Sequence, residues 1–384
     1  MAEEFTFYEF FAGGGMARLG LGRDWRCLFA NEWSASKAES YRAYFGDDPP
    51  PAVRDVATLT AADLPGQADL AWASFPCQDL SLAGQGAGLA GERSGTFRPF
   101  WRLISELRRE GRAPRLVALE NVVGTLSSHQ GRDFAFIMSA LAGEGYVGGA
   151  LVIDAADFLP QSRPRLFIVG ALRHLPVSET LFQRGPHPRW HPPALLKAFE
   201  ALSPEARESW AWWHLPCPPP RRSDLAEILE EDPPASLWHS SEETGKLISL
   251  MDPRHLERIT KAQRLGRRVV GTLYRRTRPD PDSGLKRQRA EVRFDGIAGC
   301  LRTPAGGSSR QVVVVVEGRK VRTRLLSARE TARLMGVPDD YPLPPRYNEA
   351  YHLFGDGVAV PVVSWLARHL LQPLLRQREE VAAA

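Results

Sequence analysis

Cysteine is scarce in these 384 residues, and the four present, Cys27, Cys77, Cys217 and Cys300, stand far apart with no Cys-x-x-Cys pair. That spacing argues against a zinc site and a disulfide framework, leaving each thiol as buried filler or as a nucleophile. No run approaches the roughly 20 uncharged apolar residues of a membrane span. The opening "MAEEFTFYEFF" has neither the basic start nor the small-residue cleavage site of a secretion signal. These absences predict a cytoplasmic protein with no membrane partner. Net charge is small as well, +4 from 49 basic and 45 acidic residues, and the excess is local. Between Arg264 and Arg293, ten Lys or Arg stand against three Asp or Glu. Such a run is either a solvated charged face or, with its interleaved Tyr, Val and Leu, a strand-rich surface turned toward phosphates.

What is present suffices for a large core, since 43% of the residues are hydrophobic, and the length predicts two domains. Through about residue 170, short apolar runs alternate with helical patterns. "FTFYEFFA", "RCLFANE", "DLAWASFP", "RLVALENV" and "RLFIVGAL" read as buried strands, and "GTFRPFWRLISELRREG" and "FAFIMSALAGEG" as amphipathic helices. This is the alternation of a doubly wound α/β domain. After about Leu175 the chain turns proline-rich and aromatic, which predicts a second domain. A strand "QVVVVVEG", a helix "SARETARLMG" and the apolar "GVAVPVVSWLARHLLQPLL" follow, the last spaced like a helix returning to the first core.

Chemistry-bearing residues gather at the predicted strand ends, where open α/β sheets place their sites. The first strand runs into "FAGGG", whose glycines allow a tight turn and close approach of a ligand. A nucleotide enzyme of several kinds, or a purely structural turn, fits it equally. The second strand ends in Asn31, Glu32 and Trp33. An acid about 20 residues after such a turn suits the ribose hydroxyls of an adenosine-containing ligand, and Trp33 either covers an adenine face or packs in the core. Asp55 follows the third strand and either reaches the adenine amine or caps a helix. The fourth strand ends in Pro76, Cys77 and Gln78, ahead of a glycine-peppered loop with Gly84, Gly86, Gly88, Gly91 and Gly95. The fifth ends in Glu120 and Asn121, giving a nucleophile-plus-acid pair with Cys77. "QSRPR" then places Gln161, Arg163 and Arg165 before another strand, where alternation predicts both arginines on one side. The tryptophans of "ESWAWWHL" read as a base-stacking platform or as the hydrophobic centre of a small domain.

Taken in order, "FAGGG", "NEW", "FPCQ", "ENV", "QSRPR", "RETARLMGVPDDY" and "LFGDGVAVPVV" resemble the bacterial-type DNA (cytosine-5-)-methyltransferase family. The resemblance covers residues 5 to 170 and about 296 to 372. It implies a Rossmann-like catalytic domain for S-adenosylmethionine, in two parts at residues 1–175 and 311–384, around a smaller, irregular strand-rich target recognition domain at 176–310. It also implies methyl transfer to carbon 5 of a cytosine flipped out of a specific duplex. The Cys77 thiolate would add to ring carbon 6, Glu120 would hold ring nitrogen 3 and the exocyclic amine, and Arg163 and Arg165 would complete the catalytic set, Arg165 holding the base carbonyl or its phosphate. Phe11, Gly13, Gly15, Glu32, Trp33, Asp55, Pro76, Asn121 and Val358 would line the cofactor pocket. Gln78, Ser81, Gln161, Thr303, Gly306 and Gly307 would meet DNA, and the loop after Cys77 would be a lid. No metal is implied. The expected partners are double-stranded DNA and, unless the chain is an orphan methylase, a cognate restriction endonuclease, with the chain itself monomeric.

One position departs from the family's Gly-Asn-small-Val pattern: here it is Gly355, Asp356, Gly357, Val358, an acceptor where the family has an amide donor. The alternatives are a tRNA cytosine-5 methyltransferase of the same architecture, which has a shorter middle region, an inactive DNA-binding relative, and a nicotinamide enzyme built on the glycine turn. The last leaves "FPCQ" and "QSRPR" unexplained.

Overall fold

The computed structural model describes residues 4–76, 96–279, 284–303 and 309–376. Its described residues fall into two compact units, one within 1–154, 164–219 and 357–384, the other within 155–163 and 220–356.

The first unit is built on a seven-stranded sheet: β1 (Phe5–Phe10), β2 (Trp25–Glu32), β3 (Ala52–Val53), β4 (Leu70–Ala73), β5 (Leu116–Val122), β6 (Tyr146–Asp154) and β7 (Pro164–Leu172). Its order is β3-β2-β1-β4-β5-β7-β6. Neighbours from β3 to β5 run parallel, while β7 lies antiparallel to both β5 and β6. Both faces are covered, which is why the strands read as apolar runs rather than alternating ones. On β1, Tyr8 and Phe10 face the cluster that holds helix α2 (Phe97–Arg109), with the Phe10 ring 5.0 Å from Phe100. Phe5 and Phe7 turn the other way onto Trp25. The chain's last helices return to this unit. Val360–Leu366 packs on α1 (Met16–Leu21), where Ser364 Oγ donates to Gly20 O at 2.8 Å. A side chain at Gly20 would collide with Val363, so only glycine allows this approach.

The doubly wound expectation holds, but β6 went unread. Gly148 and Gly149 dilute its apolar signal, and their place in the fold explains them. Residues 209–211 cap the β6 edge through Gly148 N–H to Ser209 O and Ala211 N–H to Gly148 O, both 2.8 Å. A Cβ on Gly149 would strike Ala211 O and stand 2.8 Å from the Trp213 ring. The tryptophans of this run therefore belong to the first unit and not to a separate domain, with the half-buried Trp210 and Trp212 packed on the Phe199 ring at 5.0 and 4.8 Å. Trp190 and Trp213 are fully buried, and Trp213 Nε1 donates to Val169 O of β7 at 2.9 Å.

The second unit centres on a four-stranded antiparallel sheet of β8 (Arg268–Pro279), β9 (Lys286–Arg293), β10 (Val312–Glu317) and β11 (Lys320–Leu325), in the order β11-β10-β8-β9. The expected division at 176 and 310 does not coincide with these units. Residues 176–219 belong to the first, because the proline-rich stretch covers the β6 edge, and 311–356 belong to the second, because β10 and β11 complete its sheet. A buried bidentate pair, Arg324 to Glu330 at 2.7 Å on both arms, ties β11 to the capping box that starts helix Ala328–Arg333. The stretch 347–376 holds an 18-residue window of mean hydropathy 1.3, long and apolar enough by composition alone to resemble a membrane span. The chain breaks it into shorter helices, and 61% of its most apolar window is buried in the protein.

Candidate active site

At the end of β1 the chain enters a left-handed turn, with φ of 57° at Phe11, 56° at Gly13 and 77° at Gly15. Glycine is required at 15, where a Cβ would lie 2.9 Å from the Tyr41 ring, while the space beside Gly13 is open. Phe11 holds this conformation despite its side chain, a strain of the sort that clusters at functional sites. Glu32, at the end of the adjacent β2, locks the turn: Oε2 accepts from Gly13 N–H at 2.8 Å and Oε1 from Ser34 N–H at 2.7 Å. Trp33 next to it is 73% exposed, which removes the core-packing alternative for that ring. Asn31 donates to Ala52 O and Arg54 O, at 3.1 and 2.8 Å, and so positions the loop carrying Asp55. Asp55 caps the short helix Val56–Thr58 through Ala57 N–H at 2.9 Å.

β4 and β5 lie side by side. Asn121 donates from Nδ2 to Phe75 O at 3.3 Å, and its Oδ1 accepts from Val122 N–H, so its amide anchors the segment leading to Pro76. The register of β5 against β7 sets Val122 opposite Arg165. Glu120, two residues before Val122, therefore shares a face with Arg165 on the diagonal. The two form an ion pair, Arg165 Nε to Glu120 Oε1 at 3.2 Å, with side-chain exposures of 16% and 8%. This sheltered carboxylate-guanidinium pair stands at the strand ends of the first unit. Val358 is buried in the same unit.

Arg163 departs from the expectation. β7 begins at Pro164, so strand alternation does not extend to residue 163, and Arg163 belongs to the second unit. There its buried guanidinium donates to Leu301 O at 3.1 Å and Gly355 O at 2.9 Å, with Cys300 Sγ at 3.3 Å. It ties two backbone segments together instead of joining Arg165. Gln161, expected to meet DNA, is fully buried: Nε2 donates to Leu334 O at 2.6 Å and Oε1 accepts from Leu301 N–H at 3.0 Å. Thr303 donates its hydroxyl proton to Asp356 Oδ1, so the acid that replaces the expected amide serves as an acceptor. Cys77, Gln78, Ser81, Gly84, Gly86, Gly88, Gly91, Gly95, Gly306 and Gly307 lie outside the described residues.

Glu9 is the residue that sequence reasoning passed over. It sits on β1 two residues before the turn, 1% exposed, where Oε1 accepts from Arg18 N–H at 3.3 Å. Burial raises its carboxyl to about 8; the Arg18 charge and the Tyr41 hydroxyl oppose this only in part, and Glu32 adds to it. The signal was visible as a lone acid inside the apolar "FYEFF". Cys27 lies in the same buried group, accepting from the Tyr41 hydroxyl at 3.7 Å, and burial pushes its thiol up to about 12. It is a packing residue. No group of three or more metal-ligating side chains occurs among the described residues.

Residues 5–372 match the family described as C-5 cytosine-specific DNA methylase. The chain is 28% identical to the Type II methyltransferase M.BsuFI of Bacillus subtilis, over 98% of its own length and 75% of that protein's. It is 27% identical to M.HpaII of Haemophilus parainfluenzae, over 97% and 91%. Among solved structures, the Dnmt2 methyltransferase of S. pombe superposes with TM-score 0.62 at 17% identity, covering 97% of this chain and 99% of that one. The Entamoeba histolytica methyltransferase EhMeth does so with 0.66 at 13%, covering 97% and 98%. At those identities the likeness is one of fold. The match of the family over nearly the whole chain settles what the strand-end residues alone left open: this protein belongs to the C-5 cytosine-specific DNA methylases and is a DNA methyltransferase.

Proposed function

We propose that this chain methylates carbon 5 of a flipped cytosine in a specific duplex sequence through the Cys77 thiolate, with Glu120 and Arg165 holding the base. Carbon 5 of cytosine is a weak nucleophile. Addition of Cys77 Sγ to carbon 6 makes carbon 5 electron-rich, splitting one hard step into two. Glu120 shares a proton with ring nitrogen 3, so the charge developed by addition does not accumulate on the ring. Arg165 keeps that carboxyl oriented and binds the base carbonyl. The observation that carries the reading is the Glu120–Arg165 pair at 3.2 Å, largely screened from water, on the strand beside the one that leads into Cys77. Extrusion of the base from the duplex costs a few kcal/mol, which binding must supply.

The first unit fits S-adenosylmethionine, the methyl donor of this family. The open space at Gly13 and the Glu32 carboxylate at the turn suit a ribose, and the exposed Trp33 ring suits an adenine. Phe11, Gly15, Asp55, Pro76 and Val358 would complete the pocket, with Asn121 supporting it from behind through Phe75 O. When bound, the cofactor supplies an electrophilic sulfonium methyl. Thr303 would meet the DNA backbone, as would Gln78, Ser81, Gly306 and Gly307. Arg163 and Gln161 act as internal ties of the second unit. The Type II names of the relatives support a modification role beside a cognate restriction endonuclease. Bisulfite sequencing of DNA from cells expressing the chain tests the reading: protected cytosines at one recurring sequence are expected, and none at any sequence would refute it.

A further inference from the structure

β8 and β9 outrun the rest of their sheet. β10 accompanies β8 only as far as Leu273, opposite Val312, and Ser309 then exchanges two hydrogen bonds with the Arg275 backbone, at 2.8 and 3.1 Å. Beyond that point, among the described residues, Arg276, Thr277, Arg278 and Pro279 pair only with Arg289, Gln288, Arg287 and Lys286. The result is a two-stranded arm about 14 Å long at ~3.4 Å per residue. Arg276, Thr277, Lys286, Arg287 and Gln288 on it are exposed. Opposed residues of an antiparallel pair share a face, and alternate residues repeat it. Arg276, Arg287 and Arg289 therefore occupy one face, and Thr277, Gln288 and Lys286 the other. Glu291, the one acid on the basic face among the described residues, sits at the arm's root. There it takes the Tyr274 hydroxyl at 2.7 Å and stands 3.9 Å from Arg276 Nε.

A solvated charged face has no need of a projecting ribbon. The major groove of B-DNA, about 12 Å wide and about 8.5 Å deep, admits a two-stranded one. Residues two apart on a strand are separated by about 6.8 Å, the rise of two base pairs. Arg287 and Arg289 are spaced to meet base pairs two steps apart, and a guanidinium fork matches the O6 and N7 acceptors of guanine. Resting on the DNA-methyltransferase reading above, we infer that the β8–β9 arm enters the major groove of the substrate with its Arg276 face toward the base edges, and that Arg287 and Arg289 set the recognition sequence.

The test methylates a duplex library randomised around one cytosine, using the full-length chain and S-adenosylmethionine, and reads the products by bisulfite sequencing. Arg287→Ala and Arg289→Ala should each keep methylating but lose preference at one base pair by about 10- to 100-fold. Arg287→Lys, which keeps the charge and loses the fork, should relax the same position without changing the salt dependence of DNA binding. Arg264→Ala, on a helix away from the arm, should leave the consensus intact. Arm variants that retain the wild-type consensus overturn the inference, whether they weaken all sequences equally, as phosphate contacts do, or change nothing, as a face for an acidic protein would. A wild-type chain that methylates no sequence defeats the underlying reading together with the inference, whereas a wild-type consensus indifferent to the arm defeats the inference alone.

Discussion

Glu9→Gln isolates a single buried proton beneath the glycine turn. An ordinary glutamate ionises near 4.5, and burial raises Glu9 to about 8. Between those values the unfolded chain has given up the proton that the folded chain keeps, so stability falls as pH rises and levels off above about 8. At about 1.4 kcal/mol for each pH unit the whole span is worth on the order of 5 kcal/mol, and the part between pH 5.5 and 8 roughly 3 kcal/mol. Glutamine keeps the shape and carries no titrating proton. Whatever constant cost its amide brings, the pH-dependent part disappears. With about 2 to 4 °C of melting temperature per kcal/mol in a unit of this size, the advantage of the variant over wild type should grow by roughly 6 to 12 °C between pH 5.5 and 8.5. Calorimetric melting of both proteins at each pH measures it. The groups facing Glu9 are Arg18, Tyr41, Cys27 and Glu32, and all four are common to both proteins. A wild-type-to-variant gap that stays constant with pH would refute the reasoning, because Glu9 would then be ionising where an exposed glutamate does.

Glu32→Ala should weaken S-adenosylmethionine binding by about 10- to 100-fold, since the lost carboxylate both bonds Gly13 N–H and would accept from the ribose, a contribution of roughly 1.5 to 3 kcal/mol; unchanged affinity in a calorimetric titration would remove it from the pocket. Gly20→Ala should lower stability by about 1 to 3 kcal/mol, because the added methyl meets Val363 and stands 2.8 Å from Val360 O, and a melting temperature equal to wild type would show that the returning helix is not packed on α1 as described.

The sheet was legible where burial on both faces left continuous apolar runs, as in β1, β2, β4, β5 and β7, and the ends of those runs located Glu32, Glu120 and Arg165. It was illegible where tertiary contact overrode local pattern. β6 carries two glycines because another segment lies against them, and a glycine that serves packing reads locally as a turn. The prolines and tryptophans of 176–219 suggested a new domain, yet they cover a sheet edge whose unpaired groups no local pattern announces. Arg163 and Arg165 are separated by the proline that opens β7, so a rule of alternation was applied one residue too early. Trp33 could not be assigned to core or surface from its neighbours, because exposure is a property of the assembled fold. The reaction itself was legible through the order of seven short motifs. Glu120 and Arg165 gain geometric support from the strand register, and Cys77 rests on its motif.

The nucleophile is where the account is most exposed. If Cys77 adds to carbon 6, release of the enzyme requires loss of the hydrogen at carbon 5, and fluorine at that position cannot leave as a cation. Duplex DNA carrying 5-fluorocytosine at the target should therefore trap the wild-type chain, in the presence of S-adenosylmethionine, as an adduct that survives boiling in detergent. Cys77→Ser should trap none, because an alcohol supplies too little of its anion near neutral pH. Cys27→Ser, Cys217→Ser and Cys300→Ser should trap as wild type does. An adduct formed by Cys77→Ser, or lost in one of the other three, would contradict the assignment.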